Sequence, residues 1–136
     1  MTGAPPASPN STILVVDEEV LIRFAIADYL RDCGYRVIEA ASGKEAMLVI
    51  EKSDVKIDIV LCDAALKGKV NGFTLAQWIR TNRTDMPVIL AGTPAKAADA
   101  AAGLCDEGPN LARPYEPQLV ADRIKRLLAK RRENKA

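Results

Sequence analysis

The stretch Asp58-Ile59-Val60-Leu61-Cys62-Asp63 sets the expected fold, because four apolar residues in a row end on a carboxylate. A short run of this kind is typical of a strand buried on both faces of a parallel sheet. A loop follows, and Asn71-Gly72 then opens an amphipathic helix, so we expect the strand to lead into a crossover connection. Asp63 then lies at the carboxyl end of the strand, where open parallel sheets bind ligands. The alternative is that Asp63 only caps the following turn.

The rest of the chain alternates short apolar runs with helical patterns. The predicted strands are residues 12–16, 35–40, 58–63, 88–91 and 110–113. A helix follows each strand: one that ends at Gly34, one with a Ser42 and Glu45 capping box, and those at 72–82, 95–104 and about 118–130. This βα alternation predicts an α/β fold, with a five-stranded parallel sheet covered by helices on both sides.

Length and charge limit the class of protein. A chain of 136 residues suits one domain, which we place at residues 12–132, between a flexible leader at 1–11 and a tail at 133–136. The net charge of +1 gives no overall attraction to nucleic acid or membrane, and the net +5 of residues 122–136 is typical of a solvated helix face. No segment resembles a membrane span or a secretion leader, so we expect a cytoplasmic protein.

The cysteine and histidine content narrows the chemistry. Cys33, Cys62 and Cys105 are odd in number and form no Cys-x-x-Cys pair, which argues against a disulfide framework or a zinc site. We therefore expect three reduced thiols. The absence of histidine excludes His-based metal sites and Ser-His or Cys-His nucleophiles within this chain.

A second run of acids follows the first strand. Residues 12–16 are apolar and lead directly into Asp17, Glu18 and Glu19. Parallel strands end at the same edge of a sheet, so Asp17, Glu18 and Asp63 are expected to cluster there. Clustered carboxylates suit Mg²⁺, and a carboxylate beside such a metal can act as a nucleophile toward phosphoryl groups.

These residues resemble the receiver domain of two-component response regulators over roughly residues 12–130. The resemblance depends on four stretches in order: the acids after the first strand at 15–19, the acceptor strand and loop from Asp58 to Gly72, the fourth strand at 87–90, and Arg113-Pro114-Tyr115. It implies a doubly wound, flavodoxin-like (βα)5 fold with strand order 2-1-3-4-5. Ordered agreement of this kind favours a functional Asp63 over a turn cap.

The resemblance also implies a function. Asp63 would accept a phosphoryl group from a histidine kinase or a histidine phosphotransfer protein, without the chain itself being an enzyme. Asp17, Glu18, Asp63 and the main-chain carbonyl of Ala65 would hold Mg²⁺. A downstream protein would bind the face formed by the fourth helix, fifth strand and fifth helix. We expect a stand-alone domain, monomeric or weakly dimeric, with no nucleic-acid or membrane partner.

Several positions depart from the family pattern. Glu18 stands in place of the second Asp, and Arg113 replaces the usual Lys with a planar guanidinium. Gly92 lacks the hydroxyl usual after the fourth strand, and Thr93 can replace it only if the backbone has turned there. The remaining departures are Lys67 and Asn110, the latter in place of an aromatic residue. We expect the hydroxyl-to-aromatic switch to be absent or rewired.

Two other functions are weighed against a phosphorylatable receiver. A degenerate receiver would act as a phosphate-independent interaction module, which the departures favour and the retained Asp17, Glu18 and Asp63 oppose. A small Mg²⁺ phosphatase with an Asp nucleophile usually carries an acid two residues after it, where this chain has Ala65.

Overall fold

The computed structural model describes residues 11–52, 54, 56–106, 122 and 126. The elements are β1 (Thr12–Val16), α1 (Val20–Asp32), β2 (Arg36–Ala40), α2 (Gly43–Lys52), β3 (Ile59–Asp63), α3 (Gly72–Asn82), β4 (Val88–Ala91) and α4 (Pro94–Asp106). The predicted strand at 110–113 and most of the predicted helix at 118–130 lie outside the described residues. The eight described elements follow the predicted order.

The four described strands form one parallel sheet in the order β2-β1-β3-β4. This confirms the predicted fold class and the predicted strand order as far as β4. The register pairs Val16 with Cys62 and Asp63 with Ala91, so β1, β3 and β4 end side by side.

The sheet separates two apolar cores. Alternate residues of a strand point to opposite faces, so Ile13 and Val15 pack on one side and Leu14 and Val16 on the other. The first side is covered by α1 and α4, the second by α2 and α3. The stripe predicted for α1 is buried throughout, as are the core positions predicted for α3: Ile22, Ile26, Tyr29, Leu30, Cys33, Leu75, Ala76 and Ile79.

Local signals in the sequence set the helix ends. Gly34 has a φ of 102°, a left-handed conformation that ends α1 and that other residues adopt only with strain. At α2 the predicted capping box is present, because the Glu45 N–H donates to Ser42 Oγ over 3.1 Å and Glu45 Oε1 accepts from the Ala41 N–H over 3.4 Å. Asn71 Oδ1 caps α3 by accepting from the Thr74 N–H at 2.9 Å.

The expectation of three reduced thiols is wrong for two of the cysteines. Cys33, just after α1, and Cys105, near the end of α4, form a disulfide with their Cα atoms 5.5 Å apart. Cys62 is a free, buried thiol. The pairing is invisible in the sequence because 72 positions separate the two residues, and only the packing of α4 beside α1 brings them together.

Within the described ranges, no helix combines the length and the apolar character needed to cross a bilayer.

Two glycines in helices should respond to alanine with opposite signs. A Cβ on Gly43 would overlap the Val70 carbonyl oxygen and lie 2.7 Å from Val70 Cγ1, whereas a Cβ on Gly103 would meet nothing within 4 Å. Gly43→Ala should therefore lower the free energy of unfolding by about 1–3 kcal/mol through overpacking. Gly103→Ala should raise it by about 0.5–1 kcal/mol, because alanine favours the helix.

Urea unfolding of the two variants beside the parent measures both changes. An unchanged or raised stability of Gly43→Ala would refute the close contact between α2 and the β3–α3 loop.

Candidate functional site

Two carboxylates lie side by side at the carboxyl edge of the sheet. Asp63 is the last residue of β3, and Asp17 directly follows the last residue of β1. Because Val16 pairs with Cys62, the next residues along the two parallel strands are neighbours. The structure therefore brings together Asp17 and Asp63, two of the three acids that the strand pattern placed at this edge, whereas the third, Glu18, is exposed.

Asp17 is held firmly by its surroundings. It is 8% exposed, its Oδ1 accepts a hydrogen bond from the Glu19 N–H over 2.9 Å, and its own N–H donates to the Ala40 carbonyl over 3.1 Å. The guanidinium of Arg23 donates from Nη1 to the Asp17 carbonyl oxygen at 2.8 Å. Both the main chain and the carboxylate of Asp17 are thus fixed before any ligand arrives.

The carboxyl group of Asp17 is difficult to ionise. Burial is the main cause and raises its pKa from 3.8 to about 6, with smaller upward contributions from the negative charges of Asp63 and Glu19. The Glu19 N–H and the Arg23 charge act in the opposite direction. The two carboxylates at this edge carry like charges that repel each other, and such an environment favours a bound cation.

The carboxylate of Asp63 is oriented by the loop that follows it. Its Oδ1 accepts from the Ala65 N–H over 2.9 Å, and its carbonyl oxygen accepts from the Leu66 N–H over 3.2 Å. Leu66 is buried in the core beneath α2 and α3, which anchors the loop. The hydrogen bond to Ala65 is an Asx turn, so Asp63 does cap the turn, as in the first alternative, while remaining half-buried at the edge.

The start of α3 lies directly against this loop. A Cβ on Gly72 would lie 2.7 Å from the carbonyl oxygen of Asp63 and 3.0 Å from the Cα of Ala64. Only glycine permits this approach without displacing the backbone next to the acceptor. The spacing between Asp63 and Gly72, noted in the sequence, thus has a steric cause.

Cys62 directly precedes Asp63 and pairs with Val16, the residue before Asp17. Burial raises the pKa of its thiol to about 12, and the charges of Asp63 and Asp17 add to the effect. The thiol therefore stays protonated at neutral pH and is a poor nucleophile.

The end of β4 borders the loop that follows Asp63. The Ala64 N–H donates to the Ala91 carbonyl at 2.9 Å, and Gly92 and Thr93 follow as exposed residues. Thr93 caps α4, since its Oγ1 accepts from the Lys96 N–H at 3.2 Å and its carbonyl accepts from the Ala97 N–H at 3.0 Å. Thr93 Oγ1 is therefore held as an acceptor in the helix cap, and an added Cβ at Gly92 would meet nothing within 4 Å.

The donors at this edge suit a hard cation in part. Asp17 and Asp63 supply two carboxylates, and the family resemblance adds the main-chain carbonyl of Ala65. Glu18 is exposed and free to rotate without loss of packing. Across the part of the chain that the structure describes, no three Asp, Glu, His or Cys side chains are grouped closely enough to hold a metal. Arg113 lies outside the described residues.

An ion-pair network behind Asp17 was not predicted from the sequence. Arg23 Nε binds Glu39 Oε1 at 3.0 Å, and Arg31 Nη2 binds Glu39 Oε2 at 3.2 Å, so one carboxylate joins two turns of α1 to β2. The available signal was that Arg23 lies four residues after Glu19 on a helix whose other side is apolar. The partner, Glu39, lies on another element and could not be inferred from spacing.

Comparison with known proteins shows the family. The model described as "Response regulator receiver domain" matches residues 13–111. This chain therefore belongs to the response regulator receiver domain family.

Curated relatives extend well beyond the matched part. "Probable transcriptional regulator ycf27" of Cyanophora paradoxa is 32% identical over 123 residues, which cover 90% of this chain and 49% of the relative. "Transcriptional regulatory protein GltR" of Pseudomonas aeruginosa is 31% identical over 123 residues, or 86% of this chain and 48% of the relative. The chain thus spans about half the length of these relatives.

Solved structures agree on the fold. The receiver domain of NtrX from Brucella abortus superposes with a TM-score of 0.55 at 25% identity, covering 88% of this chain and 95% of that one. Chemotaxis response regulator CheY4 of Vibrio cholerae gives a TM-score of 0.56 at 23% identity, covering 85% and 97%, and supports the fold alone.

Replacing Asp17 with Asn should stabilise the metal-free protein at neutral and alkaline pH. The carboxyl group titrates near pH 6 in the fold against 3.8 for an ordinary Asp, so its ionisation opposes folding as pH rises through that window. Asn keeps an oxygen acceptor for the Glu19 N–H and carries no charge. The gain should reach about 3 kcal/mol above pH 7 and disappear below pH 4.

Urea unfolding in EDTA at pH 4, 6 and 8 measures this gain, with Asp32→Asn at the exposed end of α1 as a control. Equal stabilities of parent and Asp17→Asn at pH 8 would show that burial of this charge has no cost.

Replacing Gly72 with Ala should disturb the acceptor loop, whereas the same change at Gly92 should not. The new methyl group at position 72 would press on the Asp63 carbonyl, and we expect a loss of about 1–3 kcal/mol in unfolding free energy. Gly92→Ala has open space and should stay within about 0.5 kcal/mol of the parent.

Denaturant unfolding gives the stabilities, and the amide NMR shifts of Asp63 and Ala64 report the loop directly. Unchanged shifts in Gly72→Ala would contradict the close packing of α3 on this backbone.

Proposed function

We propose that this domain is a Mg²⁺-dependent phosphoryl acceptor that forms an aspartyl phosphate at Asp63 and signals by contact with another protein. The observation that carries the proposal is the position of Asp63 at the carboxyl edge, next to a buried second acid and fixed by its own loop. Membership of the receiver family supports the same residue as the acceptor.

The chemical step is a simple displacement. A carboxylate oxygen of Asp63 attacks the phosphorus of a donor phosphohistidine, the new P–O bond forms, and the P–N bond breaks with its electron pair left on the donor ring. Since Oδ1 is oriented by the Ala65 N–H, we assign the attack to Oδ2. The phosphohistidine lies outside the 136 residues of this chain, which contain no histidine.

Positioning and charge are the main contributions of this domain to the step. When bound, Mg²⁺ supplies positive charge that neutralises the transferring group. Asp17, Asp63 and the carbonyl of Ala65 would hold the ion, with Glu18 turning inward from its exposed position. Arg23 keeps the Asp17 main chain in place through its 2.8 Å hydrogen bond.

An apolar patch on α1 suits the docking of a phosphoryl donor. Val20, Leu21 and Phe24 are large side chains that stay exposed on the first turns of α1, directly after the acids of the site. A donor protein that covers this patch would bring its histidine over the carboxyl edge. We propose a histidine kinase or a phosphotransfer protein as that partner.

Output is proposed to pass through the surface that begins with α4. Its exposed residues are polar or small: Ala95, Lys96, Asp99, Gly103 and Asp106. The fifth strand and fifth helix of that surface remain predictions from the sequence, as do the single-domain organisation, a monomer or weak dimer, and a cytoplasmic location. The role in transcription named for the curated relatives is not carried over to this chain.

A second function has one specific observation in its favour. At the end of β4, Gly92 has no hydroxyl, and Thr93 Oγ1 accepts the Lys96 N–H, so in the described residues that directly follow β4 the hydroxyl side chain is held in the α4 cap. A receiver that works as a phosphate-independent interaction module would tolerate this arrangement.

The intact mass of the protein after incubation with acetyl phosphate and Mg²⁺ tests the proposal. We expect one phosphoryl adduct that depends on Mg²⁺, disappears with EDTA and is absent in Asp63→Asn. Asp58→Asn, directly before the first residue of β3, is the matched control and should keep the adduct, although it weakens the 2.8 Å hydrogen bond that Asp58 Oδ2 accepts from the Thr12 N–H.

The absence of an adduct in a protein shown to be folded by circular dichroism would support the phosphate-independent module. An adduct that persists in Asp63→Asn would assign the acceptor to another residue.

A further inference from the structure

The carboxyl end of α4 is fastened to the region between α1 and β2 by two adjacent links. Cys105 is bonded to Cys33, and one residue earlier the Leu104 carbonyl accepts a buried hydrogen bond from the Tyr35 hydroxyl at 2.6 Å. Cys33 and Tyr35 flank Gly34, where α1 turns into β2. Both links therefore hold the same end of one helix.

We propose that the Cys33–Cys105 pair is a thiol–disulfide switch that fastens the carboxyl end of α4 in the oxidised protein and releases it on reduction. This inference does not need Asp63 to accept phosphate. It draws on the proposed cytoplasmic location, because disulfides in that reducing compartment are usually transient and serve to sense redox state.

The reaction balances with a low-molecular-weight disulfide, such as oxidised glutathione, as the oxidant. One cysteine loses its proton, its thiolate attacks the oxidant, and one oxidant thiol leaves. The second cysteine, as a thiolate, then displaces the other oxidant thiol, so the protein loses two electrons and two protons. A dithiol reductant reverses both steps.

Access to the buried sulfurs requires α4 to open locally, and the composition of the helix makes this opening easy. Both cysteines are 0% exposed. The core side of α4 is formed largely by alanines, with Ala98 and Ala101 buried and Leu104 the one large apolar side chain among the described buried residues of the helix. Small side chains bury little apolar area, and exposed Gly103 weakens the last turn, so the apolar packing of this end against the other described residues is weak.

The other end of α4 lies at the carboxyl edge. Thr93 caps the helix two residues after Ala91, whose carbonyl accepts the Ala64 N–H from the Asp63 loop. A change in how α4 is held at its carboxyl end therefore acts on a helix whose amino-terminal cap adjoins the strand end bonded to the Asp63 loop.

Counting thiols tests the chemistry of the switch. Protein exposed to oxidised glutathione, denatured and alkylated with iodoacetamide should carry one label, on Cys62, and should carry three after prior reduction. Three labels without reduction would overturn the proposal, because the two sulfurs would then not be bonded. Peptide mapping identifies the labelled residue.

Hydrogen exchange by mass spectrometry tests the release. In the oxidised protein, amides of residues 94–106 should exchange at least about tenfold more slowly than in the reduced protein, while β1 and β3 stay unchanged. Cys33→Ala should exchange at the fast rate with or without oxidant, and Cys62→Ala should keep the redox dependence of the parent.

Equal exchange in α4 for the oxidised and reduced protein would overturn the switch. Faster exchange across the whole sheet after reduction would also overturn it, because the disulfide would then stabilise the entire fold and not only the end of α4. Neither measurement involves phosphate, so a failed phosphorylation experiment leaves this inference standing.

Discussion

The parallel register of β1 against β3 is the constraint on which the site depends. Pairing Val16 with Cys62 leaves Asp17 and Asp63 as neighbours beyond the last paired residues. A shift of one residue would send one of the acids to the opposite face and its neighbouring apolar residue to the edge. Because both faces of the sheet are covered by helices, such a shift would also bury the wrong side chains, so the cores that stabilise the fold also set the spacing of the carboxylates.

Two carboxylates at one edge impose an electrostatic cost, and the surrounding groups limit it without removing it. The Glu19 N–H and the Arg23 charge favour the ionised form of Asp17, yet burial outweighs them and its pKa stays near 6. Arg23 itself is held by Glu39, which also binds Arg31, and its guanidinium donates to the Asp17 carbonyl oxygen. The remaining electrostatic cost is greatest when no cation is bound. A site of this kind lowers the stability of the metal-free fold and favours binding of a cation.

Local patterns in the sequence predicted most of the fold, and contacts between distant segments account for what was missed. Strand and helix bounds could be read from apolar runs, from Gly34, and from the caps at Ser42 and Asn71, because each depends on a few neighbouring residues. The two acids at the edge followed from the rule for parallel strands. The network through Glu39 and the Cys33–Cys105 bond could not be found in this way, since both join elements whose relative placement is a result of folding. The prediction of reduced thiols was wrong for the same reason: counting cysteines carries no information about which helices become neighbours.

At the end of β4, where the usual hydroxyl is missing, the main chain itself connects the Asp63 loop to the strand. A hydroxyl on a loop would sense a phosphoryl group by moving toward it, but Gly92 has none and Thr93 Oγ1 is held in the α4 cap by the Lys96 N–H. The Asp63 loop is nevertheless joined to β4 through the hydrogen bond from Ala64 to Ala91, and the cap of α4 begins two residues later. Movement of the loop therefore reaches α4 through peptide groups, whatever side chain stands at position 92. Such a connection transmits small displacements faithfully only if the far end of the helix is fixed, and in this chain that end is held by Tyr35 and Cys33.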